Sequence, residues 1–117
     1  MDMKEKLELL MNDLVGNYEK KAELLQKVWE KQKDKDAADE ILEVAKRSAH
    51  DAGLIDGTNA DKRKAQLIEA VVEEQAQVNA MGTIVSTVRH ELSLLEVRIS
   101  SCRDQLRFFE ILFTIND

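Results

Sequence analysis

Few side chains in this chain are placed to attack, move a proton or hold a metal. His90-Glu91-Leu92-Ser93-Leu94 opens like the zinc-protease pattern HExxH, whose two histidines share a metal from one helix face. A leucine stands where the second histidine belongs. The other histidine, His50, has no set of carboxylates and cysteines around it, and neither histidine follows a glutamate by three residues. The Glu-x-x-His pairs of di-iron helical bundles are therefore missing. Cys102 is the single cysteine and falls in helical step with Ile99 and Leu106, so it reads as a small core hydrophobe. No glycine-rich phosphate loop is present. The sequence predicts no enzymatic activity, no metal and no cofactor.

Charge is more informative than chemistry. Residues 46–64 hold Lys46, Arg47, Lys62, Arg63 and Lys64 against Asp51, Asp56 and Asp61, a local excess of two positive charges. Residues 1–45 carry eight bases and twelve acids, and residues 65–117 carry four and eight. Lys62-Arg63-Lys64 falls in the predicted first turn of a helix, where the backbone dipole disfavours cations. Free N–H groups and basic side chains together can hold a phosphate or carboxylate there, which makes these five residues candidates for anion or partner binding. An ordinary solvated face is the simpler explanation of the same residues. The overall charge of −6 argues against wrapping duplex DNA by charge alone, and no aromatic residue interleaves the bases to stack on a single strand. Nucleic acid is a possible partner that the composition does not favour.

The elements that must position these residues are long helices. The chain has 117 residues, 34% of them charged and 4% aromatic, and no proline; its length fits one domain. In the second half, alternating steps of four and three give Leu67, Val71, Glu74, Val78, Met81, Val85, Val88, Leu92, Leu95, Ile99, Cys102, Leu106, Phe109 and Phe113, all apolar but Glu74. That 3.5-residue repeat is a coiled-coil seam. In the first half a shorter seam reads Leu7, Met11, Leu14, Tyr18, Lys21, Leu25, Val28 and Gln32. Lys33-Asp34-Lys35-Asp36 then interrupts, and Ala38, Leu42, Ala45, Ala49 and Ala52 resume one residue out of phase. The shift predicts a kink near residue 35. Gly53-Leu54-Ile55-Asp56-Gly57-Thr58-Asn59-Ala60 makes the one turn, with Leu54 and Ile55 folding back over it and Thr58 capping the next helix. The reading is a single all-α domain with helices at about 3–33, 37–52 and 59–115.

Folding the chain back at this turn sets seam against seam when facing residue numbers total 113: Leu7 meets Leu106, Met11 meets Cys102 and Leu25 meets Val88. The result is a long antiparallel helical hairpin. Apolar residues flank both seams, and the C-terminal Phe108, Phe109, Leu112, Phe113 and Ile115, with Trp29, exceed what one partner helix covers. Self-association as a dimer or larger bundle is the expected cover. A parallel dimer would set Glu91 against Glu96 and Arg98 against Arg103, so an antiparallel or offset assembly is favoured.

The stretch from Gly53 to Leu67, with its Asn59-x-x-x-Arg63-Lys64-Ala65-Gln66-Leu67, and the closing Leu106-Arg107-x-x-Glu110 resemble small uncharacterised helical proteins of bacteriophages and prophages. The resemblance covers the second half and implies an accessory factor of replication or recombination, or an inhibitor of host defence. Charges at Asp2, Lys4, Glu5 and Lys6 stand where a secretory leader needs an apolar core, and no run approaches the roughly 18 apolar residues of a membrane span. The expectation is a cytoplasmic, non-enzymatic coiled-coil interaction protein with a protein partner. The alternative is a nucleic-acid accessory factor touching phosphates through its basic turn.

Overall fold

A computed structural model describes residues 2–116. Among them all regular structure is helical: α1 spans Met3–Asp51, α2 Ala60–Ala70 and α3 Val72–Asn116. The start of α1 follows directly from its sequence. Asp2 Oδ1 accepts the Glu5 N–H at 2.8 Å, the first half of a capping box with Glu5 in the matching position. Contacts gather the chain into two compact units, Met1–Val28 with Val88–Asp117, and Trp29–Thr87, where length alone suggests one domain.

In the first unit the start of α1 lies antiparallel to the end of α3. Asp13 and Asn17 share a groove with Arg98, Ser101 and Cys102, whereas Lys20, Glu23 and Leu24 share one with Glu91, Leu94, Leu95 and Arg98. Only Leu7, Leu10, Leu14, Asn17, Lys21, Leu24 and Val28 of α1 are buried or half-buried here. On α3 the covered positions are Val88, Leu92, Leu95, Ile99, Cys102, Leu106 and Phe109, with Leu112 beside them. The two stripes mate throughout when facing numbers total 116, which sets Leu10 opposite Leu106, Leu24 opposite Leu92 and Val28 opposite Val88.

This corrects three positions of the first seam. Met11, Tyr18 and Leu25 are exposed, and Leu10, Asn17 and Leu24 take their places. The register moves by three residues with them. The seam read on α3 stands in this unit: every position from Val88 to Phe109 is covered, and Phe113 at its end is 38% exposed.

In the second unit α1 continues without interruption through residues 34–36, so the predicted break between helices at 33 and 37 is absent. The charges expected to interrupt the helix instead brace it. Lys31 reaches Asp34 at 3.9 Å, Lys35 reaches Asp39 at 3.1 Å, and Gln32 donates to Asp36 at 2.9 Å, all at spacings that bring side chains together on one helix face. The covered stripe runs Lys31, Lys35, Ala38, Leu42, Ala45 and Ala49, with no change of phase. Small alanines let the opposing helix come close, and the Lys35 stem lies 3.6 Å from where a Gly82 Cβ would stand, its ammonium turned outward to Asp39. Facing numbers again total 116, with Leu42 opposite Glu74 and Ala49 opposite Leu67.

The helical break falls elsewhere, at Val71, whose φ of −120° and ψ of 24° end α2. Val71 remains among the most buried residues, at 3% exposure. β-Branching does not explain the break, because Thr83-Ile84-Val85 stays helical.

Neighbouring residues on α3 test this burial pattern. Leu95 is 4% exposed and Leu94 51%. Leu95→Ala should cost about 2–5 kcal/mol in urea unfolding, and Leu94→Ala less than about 1 kcal/mol. Gly16 lies inside α1 with open space around it, so Gly16→Ala should stabilise by up to about 1 kcal/mol.

Candidate functional site

The turn that carries the basic residues is built by hydrogen bonds rather than by apolar packing. Gly53 takes a positive φ of 75°, its N–H reaches His50 O at 3.1 Å, and the Leu54 N–H reaches Ala49 O at 3.0 Å. This is a Schellman closure of α1, and glycine adopts the required left-handed backbone without strain. Leu54 is exposed and Ile55 half-buried, so only Ile55 turns inward as the sequence implied. Asn59, not Thr58, caps α2: its Oδ1 accepts the Lys62 N–H at 2.8 Å.

Gln66 ties the turn to the helix that follows. Its Oε1 accepts the Gly57 N–H and its Nε2 donates to Asp56 Oδ1, each at 2.8 Å. Arg63 donates from its guanidinium to Gly57 O at 3.2 Å. A Cβ on Gly57 would stand 2.7 Å from Lys62 Cβ and 3.1 Å from the Arg63 backbone nitrogen. The close backbone approach therefore requires glycine.

These bonds engage part of the predicted basic cluster within the turn itself. The Lys62 backbone N–H is taken by the Asn59 side chain and the Arg63 guanidinium by Gly57 O, which removes two of the donors an anion at this helix start would use. Lys46 pairs with Glu43 at 3.3 Å, and Arg47 is exposed. Lys46 and Lys64 both line an open groove of about 380 Å³, together with Leu67, Ile68, Val71 and Val72.

The residues expected to mediate self-association belong to different units. Trp29, in the second unit, is exposed, with the Lys33 ammonium 4.4 Å from its ring centre. In the first unit Phe108 and Ile115 are exposed, at 60% and 72%, whereas Phe109 and Leu112 are half-buried. Phe109 belongs to the internal seam rather than to a free face.

Sequence reasoning missed a second apolar row on α1 of the first unit. Met11, Val15, Tyr18, Ala22 and Leu25 recur at steps of four and three, the same 3.5-residue period as the buried stripe beside them. All five are exposed. Extending the Ala38–Ala49 stripe backward in sevens reaches Leu10, Asn17 and Leu24, and that arithmetic frees Met11, Tyr18 and Leu25 for an outward role.

His50 and His90 are exposed. Cys102 is half-buried, and the Asn17 amide nitrogen lies 3.8 Å from its sulfur. Among the described residues no group of three or more His, Cys, Asp or Glu is arranged to hold a metal ion, and no helix is long and apolar enough to cross a membrane.

The turn's bonding has a direct test. Asn59→Ala should cost about 1 kcal/mol on urea unfolding, and Gly57→Ala should lower the unfolding midpoint by displacing the Lys62 and Arg63 contacts. Outside comparison adds no partner or activity to this geometry: no protein-family model, curated protein or solved structure matches the chain.

Proposed function

We propose that the chain is a non-enzymatic coiled-coil interaction module that binds another protein through apolar helix faces its own fold leaves open. The observation that carries this reading is the imbalance of burial. Among the described residues nine apolar side chains are buried, whereas eighteen large ones are exposed. Isolated exposed leucines are ordinary, but apolar residues gathered into rows along a helix are a mark of association surfaces. Phe108 and Ile111 form one such patch near the end of α3, both more than half exposed.

The resemblance of the second half to helical proteins of bacteriophages and prophages supports a host or phage protein as the partner and the cytoplasm as the place of action. An accessory or defence-inhibiting role fits a small module that works by occupancy. Phosphate contact through the basic turn has less support, since Arg63 and the Lys62 N–H are engaged within the turn.

Capture from the source cell with tagged full-length chain tests the reading. Replacing Phe108 and Ile111 together by serine should reduce recovery of the partner at least tenfold while the circular dichroism of the helices is kept. Equal recovery by the variant would contradict the proposal. So would salt-sensitive DNA binding that disappears when Arg47 and Lys64 become alanine.

A further inference from the structure

The exposed row on α1 lies beside a second regular feature. Arg89, Glu96, Arg103 and Glu110 recur every seven residues along α3, alternate in sign and are all exposed. The Arg103 guanidinium sits 5.4 Å from the Tyr18 ring centre, which places this row on the same side of the first unit as Met11, Val15, Tyr18, Ala22 and Leu25. One face therefore combines an apolar heptad row with an alternating charge ladder.

We propose that this face docks a second copy of the chain, turned end for end; the inference rests on the interaction reading above and names the occupant of one open face. Three observations select that occupant. The first is spacing: a row of period 3.5 packs best against another helix of the same period, and four of the five residues of the α1 row match one another. Facing numbers that total 33 set Met11 against Ala22 of the second copy and Val15 against its Tyr18, large against small, and leave Leu25 beyond these pairs, across from Glu8.

The second is charge. Reversing the α3 ladder sets Arg89 against Glu110 of the second copy and Glu96 against its Arg103, so every facing pair is opposite in sign. A copy laid in the same direction and in register would set like against like. The two reversals also share one axis. The α1 row turns about a point between residues 16 and 17, and the ladder about a point between 99 and 100. Those points face each other in the internal register, whose numbers total 116. A single two-fold operation thus satisfies both rows, as an isologous interface requires.

The third is area. The chain exposes 8669 Å², against roughly 6,500 Å² for a folded monomer of 13.3 kDa by the usual scaling of surface with mass. The excess of about 2,200 Å² is more than the roughly 800 Å² each partner gives to a standard interface.

Sedimentation equilibrium of the full chain is the test, with Glu96→Arg and Arg103→Glu as variants. The wild type should sediment at twice the 13.3 kDa chain mass. Each single reversal places two like-charge pairs in the interface by symmetry, and should weaken the dimer on the order of tenfold or more. An equimolar mixture of the two variants restores opposite pairs at both positions and should recover the dimer, an outcome that a folding defect would not produce. A monomeric wild type at about 100 µM overturns the proposal, as does a dimer that neither reversal weakens or a mixture that stays monomeric. A monomeric wild type that still captures a partner through Phe108 and Ile111 removes only the second copy. A dimer that captures nothing else removes only the outside partner.

Discussion

A long helix can keep only one narrow stripe dry against a single neighbouring helix, and the stripe stays in place only if its residues recur every 3.5 positions. Both units are organised by that constraint. In the first it selects Leu7 through Val28 on α1 and Val88 through Phe109 on α3, and in the second it selects Lys31 through Ala49. The stripe is a matter of position before it is one of composition. Asn17, Lys21, Lys31 and Lys35 occupy it although none is apolar, and none is fully buried. Long lysine stems can cover apolar surface while the ammonium stays in water.

The sequence makes the seam of the second half plain, because thirteen of its fourteen positions from Leu67 to Phe113 are apolar and no rival phase competes. On α1 two phases compete. They share Leu7, Leu14, Lys21 and Val28 and differ by one residue at the positions between. Met11, Tyr18 and Leu25 are together more apolar than Leu10, Asn17 and Leu24, so hydrophobicity alone favours the wrong set. Continuity resolves the choice, since only the phase through Leu10 joins the Ala38–Ala49 stripe without a shift. The predicted break near residue 35 came from the same error: it was needed only to reconcile the mistaken phase with the correct one. Lys33-Asp34-Lys35-Asp36 looks like an interruption because it holds no apolar residue to carry the seam, whereas at spacings of three and four Asp34 and Lys35 take part in side-chain braces on a helix.

The turn shows a different limit. Its place between residues 53 and 60 was legible from glycine and asparagine, but its internal bonding was not. Gln66, distant in sequence from Gly57 by nine residues, supplies the bonds that order the turn, and Arg63 is drawn inward with it. A basic triplet that promised an anion site thus contributes partly to the structure of its own loop. The free faces carry more of the functional argument. Polar residues would suffice for solubility on the outer sides of α1 and α3, yet Met11, Val15, Tyr18 and Leu25 on one and Phe108 and Ile111 on the other are exposed.

The pairing of α1 with α3 in the first unit is the claim on which these faces depend, because it decides which residues turn inward. Cys102 provides the probe. Its sulfur lies 3.8 Å from the Asn17 side chain and faces Leu14 where facing numbers total 116, whereas the register read from hydrophobicity would set it opposite Met11. Disulfide formation demands Cα atoms within about 7 Å, so mild oxidation of two single variants separates the registers. Leu14→Cys should close a bond to Cys102 within one chain, seen as faster migration on a non-reducing gel, and Met11→Cys should not. Closure by Met11→Cys and not by Leu14→Cys would contradict the account.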